Sequence, residues 1–227
     1  MTEGEGGPSP PSFGLPREYF DMEDGQGLLA RIRGLQGARV LVAVVGAPGS
    51  GKSTLAEGLA LRLPDAVLVP MDGFHLDDSV LSARGLLARK GAVETFDAEG
   101  FATLVERLAV PRAEVIFPIF DRTREIAVAG AGVVAADHRI VLIEGNYLLL
   151  DAAPWNRLRY DLRIWLDVPE AELERRLTAR WRGFGKDALQ VAAHLENDLA
   201  NARFVTRRSG WADLSVAQKA HQEPGQG

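Results

Sequence analysis

The sequence predicts an α/β domain built on a five-stranded, mainly parallel sheet with helices on both faces. Three observations lead there. Short, continuously apolar runs such as Arg39 to Val45 (RVLVAVV) and Arg139 to Ile143 (RIVLI) are of the kind a parallel sheet buries on both faces. Such runs alternate with segments of helical period. A glycine-rich stretch follows the first run, at the carboxyl end where open parallel sheets bind ligands.

The elements follow in chain order. Arg39 to Val45 is the first strand, and Leu55, Leu59 and Leu63 then form one helical stripe. Ala66 to Val69 (AVLV), Glu114 to Phe117 (EVIF), Arg139 to Ile143 and Leu162 to Leu166 (LRIWL) read as further short strands, and Ala212 to Val216 as a last one. Helical patterns occupy Ala98 to Leu108, Glu170 to Trp181 behind the helix-starting Pro169, and Ala188 to Phe204. Residues 1–17 and 218–227, rich in Gly, Pro, Ser and Gln, have too little apolar surface to hold an ordered core and read as tails around one domain at 18–217.

Composition narrows the class of partner. With 26 Lys and Arg against 31 Asp and Glu, nothing invites broad contact with nucleic acid or an anionic membrane, so any anion must be bound locally. The chain has no cysteine, which removes disulfides, thiolate metal sites and cysteine nucleophiles together. No apolar run approaches the roughly 20 residues that span a bilayer, and the first residues carry no export pattern. The expected location is the cytoplasm.

Residues 46–54 read GAPGSGKST: Gly46, Ala47, Pro48, Gly49, Ser50, Gly51, Lys52, Ser53 and Thr54 satisfy G-x-x-x-x-G-K-[ST] between a strand and a helix. Glycines let the backbone curl so that successive N–H groups meet phosphate oxygens, and the helix N-terminus adds its dipole. Lys52 can reach the β and γ phosphates, and the Ser53 hydroxyl can join the Mg²⁺ shell. Pro48 offers no N–H, so the cradle rests on Gly49 to Ser53. The pattern predicts a P-loop site for a nucleoside triphosphate with Mg²⁺ and by itself does not separate kinase, ATPase, GTPase or sensor; the expected ligand, ATP, comes with the family resemblance given below.

Two carboxylates sit at the same rim. Asp72, where the chain leaves AVLV, reads either as a base for an attacking hydroxyl or as an Asp-Gly turn. Glu144, closing the RIVLI strand, reads either as a holder of the Mg²⁺ shell or as a capping carboxylate. Arg176 and Arg180, four apart in ELERRLTARWRGFGK, share a helical face before a Gly183-Gly185 pair. They predict a basic lid over ATP, or a solvated face pairing with Glu172 and Glu174. His75 is a candidate acceptor contact or a backbone-anchored ring.

GAPGSGKST, MDGFH, KGAVETFDAEGF, FPIFDR, LIEGNYLLL and RRLTARW, in that order, resemble the uridine kinase and phosphoribulokinase family of P-loop kinases, which includes the type I pantothenate kinases. The similarity is strongest to the bacterial nucleoside/nucleotide kinase-like, or fructose transport system kinase-like, branch, and it covers residues 28 to 217. The resemblance implies a kinase acting on a small hydroxyl-bearing metabolite, with Asp72 as base, Glu144 near the metal and Asp97 of ETFD on the acceptor's hydroxyls. It matches Phe120 and Asp121, with Arg122 beside them, to an aromatic and polar pair on the acceptor side. Phe120 stands where relatives carry tyrosine, so that hydroxyl's hydrogen bond is lost. Arg122 and Arg124 could read an anionic acceptor group or pair with acidic neighbours.

A rim of Asp97, Asp121, Arg122 and Asn146 suits sugars such as fructose, nucleosides and pantothenate-like alcohols. A nucleotide-dependent switch acting on a protein partner is the rival from another class. It is disfavoured because no D-x-x-G element follows the third strand. Relatives of this kind also make a homodimer an expectation.

Overall fold

The computed structural model describes residues 22–217. The tails expected at 1–17 and 218–227 lie outside the described residues, as do 18–21. Helix α1 (Met22–Arg33) precedes strand β1 (Val40–Gly46), helix α2 (Lys52–Ala60) and strand β2 (Ala66–Pro70). A short 3₁₀ turn (Met71–Phe74), helix α3 (Asp78–Ala83) and helix α4 (Ala98–Leu108) lead to strands β3 (Val115–Asp121), β4 (Ile126–Val134) and β5 (Ile140–Gly145). Strand β6 (Leu162–Asp167), helices α5 (Glu170–Gly183) and α6 (Ala188–Arg208) and strand β7 (Leu214–Ala217) complete the chain.

Five strands form one parallel sheet in the order β2-β5-β1-β6-β7. Both faces are covered, as the apolar runs require. Val40, Val42 and Val44 pack with Ile32, Leu55 and Leu59 of α1 and α2, whereas Leu41, Ala43 and Val45 pack with Phe101, Val105 and Leu108 of α4 and with Val205 of α6.

The strand at EVIF is real, but it is not a member of that sheet. It lies in β3, which pairs antiparallel with β4 in a separate two-stranded hairpin, and the fifth place is taken by β7, the last strand expected. The reason is local. Residues 122–125 close a tight turn in which the Asp121 carboxylate accepts from the amides of Thr123 (2.9 Å) and Arg124 (3.0 Å). A turn that short returns the chain antiparallel to its neighbour, whereas a parallel partner needs a crossover of a dozen or more residues. Strand β4, reading IAVAGAGVV, is too rich in Ala and Gly to announce itself.

The hairpin meets the 3₁₀ turn closely. A Cβ on Gly73 would lie 2.1 Å from the Pro118 carbonyl oxygen, so only glycine fits beneath β3. Gly73→Ala is therefore expected to destabilise the fold by about 1–3 kcal/mol, with a Tm lower by roughly 2–4 °C for each kcal/mol. Thermal unfolding checks this, and an unchanged Tm would contradict the packing. Among the described residues no helix is long and apolar enough to cross a membrane.

Candidate active site

The P-loop leaves β1 at Gly46 and enters α2 at Lys52. Gly49 (φ 79°) and Gly51 (φ 84°) occupy the left-handed region that side chains disfavour. No side chain caps α2, so its first-turn amides remain available to an anion. Gly49, Gly51, Lys52, Ser53 and Thr54, with Pro48, line one side of a cavity of about 680 Å³. Gly46, Ala47 and Ser50 lie beneath that surface and shape it: Ala47 and Ser50 are buried, and a Cβ on Gly46 would come 2.5 Å from the Ser50 hydroxyl.

Sheet register brings the two carboxylates to this rim. Glu144 stands opposite Pro70 of β2 and Val44 of β1, so Asp72, two residues past Pro70, and the P-loop rise on either side of it. Glu144 is buried and accepts a hydrogen bond from the Ser53 hydroxyl. Burial raises its carboxyl to about 7 against the pull of nearby Lys52. Burial likewise lowers the Lys52 ammonium, while Glu144 and Asp72 oppose that shift.

The folded protein holds the Glu144 proton longer than the unfolded chain does, so this group's contribution to stability declines as pH rises from about 4.5 through about 7. In thermal unfolding series of the nucleotide-free protein, Glu144→Gln is expected to remove a component of the pH slope that lowers heat stability from pH 5 to pH 8, and which the lowered His75 opposes. An equally steep slope in the variant would exclude Glu144 as its source.

Asp72 makes an ion pair at 2.6 Å with Arg122 of the hairpin turn. Burial pushes the Asp72 carboxyl up, but Arg122, His75, Lys52 and Arg180 together hold it below the ordinary range. The His75 ring is anchored through Nδ1 to the Asp72 carbonyl oxygen (2.8 Å) and lies 4.0 Å from Phe96 and 4.8 Å from Phe120. It is thus backbone-anchored and part of the cavity wall at once.

Helix α5 is docked onto the P-loop. Arg176 bonds Glu172 (2.6 Å) and the Ser50 carbonyl oxygen (3.3 Å), and Leu177 would meet a Cβ on Gly49 at 3.0 Å. Hydrogen bonds from Arg175, then Arg176, hold the buried Glu172 carboxyl down at about 2. Arg180 lies over the rings of Trp181 (5.4 Å) and Phe184 (5.8 Å) and faces the cavity.

Most of the sequence-predicted residues converge here: Lys52, Ser53, Asp72, His75, Phe120, Arg122, Asn146, Arg176 and Arg180 line the cavity, with Glu144 buried under its floor. Two differ from expectation. The Asp97 carboxylate caps α4 through the Gly100 amide (2.9 Å), and Asp121 is taken up by the hairpin turn and by Arg124 Nε (2.8 Å), so neither borders the cavity. Unforeseen are Lys90 and the α6 residues His194, Asn197, Asp198 and Asn201. Lys90 opens the KGAVETFDAEGF motif, whereas the only sequence signal of the α6 residues is the spacing of four hydrogen-bonding side chains on one helix face.

Among the described residues no three metal-capable side chains cluster. The Ser53–Glu144 oxygen pair beside the cradle suits Mg²⁺, which takes few protein ligands and keeps water and phosphate oxygens for the rest.

No family model matches the chain. A Schizosaccharomyces pombe protein with the provisional name uridine kinase is 34% identical over 199 residues, covering 79% of this chain and 83% of that one. The pantothenate kinase of Streptomyces coelicolor is 29% identical over 191 residues, 76% of this chain and 58% of its own length. A solved structure from Silicibacter sp. TM1040, described as a provisional fructose transport system kinase, is 48% identical with a TM-score of 0.78, covering 89% of this chain and all (100%) of that one. A P-loop cradle at the end of β1, a parallel sheet and relatives of this kind place the chain in the uridine kinase and pantothenate kinase family of P-loop kinases, and make it a phosphotransferase.

Proposed function

We propose that the protein transfers the γ-phosphoryl group of ATP to a hydroxyl group of a small metabolite, a sugar such as fructose or a nucleoside. The observation that carries this reading is that a half-buried carboxylate, Asp72, faces the same cavity as the P-loop cradle and the arginines of α5. The Gly49 to Ser53 amides and Lys52 hold the β and γ phosphates. Asp72 takes the proton of the acceptor hydroxyl as its oxygen bonds to the γ phosphorus and the bond to the bridging oxygen breaks, leaving ADP. Arg176 and Arg180 offset the charge spread over the transferring phosphoryl oxygens. Ser53 and Glu144 would hold Mg²⁺, which supplies charge neutralisation at the phosphates when bound.

The two names borne by the relatives, uridine kinase and fructose transport system kinase, support a nucleoside or a sugar. The pantothenate kinase relatives support a second reading, an alcohol that bears a carboxylate. Incubation of the purified protein with Mg-ATP and a panel of sugars, nucleosides and pantothenate, followed by ADP release and product mass, tests the proposal. One acceptor gaining a single phosphate is the expected result. ADP release indifferent to every acceptor would overturn it in favour of a nucleotide-dependent switch working on a protein partner.

A further inference from the structure

We infer that the acceptor is an uncharged polyhydroxyl compound and that helix α6 reads it, with Asp198 setting the preference. The inference rests on the kinase reading above and specifies its second substrate.

Helix α6 carries two faces of different chemistry. Leu195, Leu199 and Ala202 pack with Leu173 and Leu177 of α5, which is the apolar stripe that fixes the helix in place. His194, Asn197, Asp198 and Asn201 stand at i, i+3, i+4 and i+7 and border the cavity. His194, Asn197 and Asp198 are half-buried and Asn201 is buried, so a ligand that displaces water from this face must replace its hydrogen bonds.

Several of these groups have acceptor capacity to spare. Asp198 Oδ2 receives the indole N–H of Trp181 at 2.8 Å, which orients the carboxylate and leaves Oδ1 without a protein donor among the described residues. Asn197 spends its amide N–H on the Lys90 carbonyl oxygen (3.1 Å), which leaves its own carbonyl for a ligand. On the opposite rim, the Asn146 Oδ1 is buried with no partner. A surface of unpaired oxygens is matched by a ligand that brings donors, and hydroxyl groups are donors without net charge.

Two of the cations that line the cavity are already paired. Lys90 sits 2.7 Å from Asp78 and 3.3 Å from Glu125, and Arg122 sits 2.6 Å from Asp72. Arg176 and Arg180 of α5 meet the transferring phosphoryl group on the kinase reading, and Arg180 also offsets the charge of Asp198. A carboxylate or phosphate on the acceptor would have to displace one of these pairs and would then face Asp198 and Glu125. Phe96 and Phe120, with His75 between them, offer apolar surface to the carbon skeleton of a sugar or the face of a base.

Matched pairs test this with the full chain and Mg-ATP: fructose and fructose 1-phosphate, uridine and uridine monophosphate, pantothenol and pantothenate. In whichever pair reacts, the neutral member is expected to show a kcat/KM at least about tenfold above its charged counterpart. Asp198→Asn keeps a carbonyl for the Trp181 indole but turns the other oxygen into a donor. It is expected to raise the neutral acceptor's KM about tenfold, narrow the neutral-to-charged ratio and leave the KM for ATP unchanged. Asn197→Ala, expected to raise the same KM, serves if Asp198→Asn fails to fold. Preference for a charged member, or a ratio indifferent to both variants, overturns the inference and leaves the kinase reading intact. Transfer to no member of any pair overturns the kinase reading itself, and this inference with it.

Discussion

Asp72→Asn is expected to lower kcat by about 10²- to 10⁴-fold while ATP affinity stays within roughly twofold. The asparagine is nearly isosteric, so the 3₁₀ turn, the Gly73 approach to Pro118 and the His75 anchor on the residue 72 carbonyl all persist. What disappears is the capacity to accept a proton, together with the charge that pairs with Arg122. The P-loop amides and Lys52, to which the proposed function assigns the nucleotide, are untouched. Single-turnover phosphoryl transfer combined with a nucleotide-binding titration separates the two effects. Comparable loss of binding and turnover would show that Asp72 supports the nucleotide site rather than the chemistry.

Lys52→Ala is expected to damage both terms together, with kcat/KM for ATP lower by about 10²- to 10³-fold or more. Lys52 lies between Glu144 and Asp72 and opposes the effect of burial on both. Without it the Glu144 carboxyl rises further above about 7, so the residual activity is expected to shift to higher pH. A pH series of kcat/KM for ATP in the two proteins checks the direction. An unshifted profile would mean that Lys52 acts on the phosphates alone.

How legible these features are in the sequence depends on how local they are. Lys52, Ser53 and the glycines are fixed by one contiguous motif, and Asp72 and Glu144 become legible once the strands before them are placed, since both follow a strand at its carboxyl end. EVIF shows the limit. A short apolar run declares a strand but not its partner, and the Ala- and Gly-rich IAVAGAGVV gives no warning that a hairpin will claim it. Asp97 and Asp121 carry carboxylates that a motif can attach to a substrate, yet each is engaged by backbone amides within three residues, a competition that only the folded turn reveals. The α6 stripe is the opposite case: on a helix of 21 residues, polar side chains at that spacing read as a solvated face until α5 and the P-loop supply the other wall.

The hairpin shares no strand-to-strand hydrogen bonding with the parallel sheet, but its turn supplies Arg122, which is at once a wall of the cavity proposed to take the acceptor and the counter-ion of Asp72. Exchange of that turn for a homologous sequence would therefore leave the scaffold standing and alter two properties in one stroke. A new acceptor repertoire obtained through residues 122–125 would arrive with a base of different strength. Along this route of divergence, substrate range and catalytic pH optimum are inherited as a single trait.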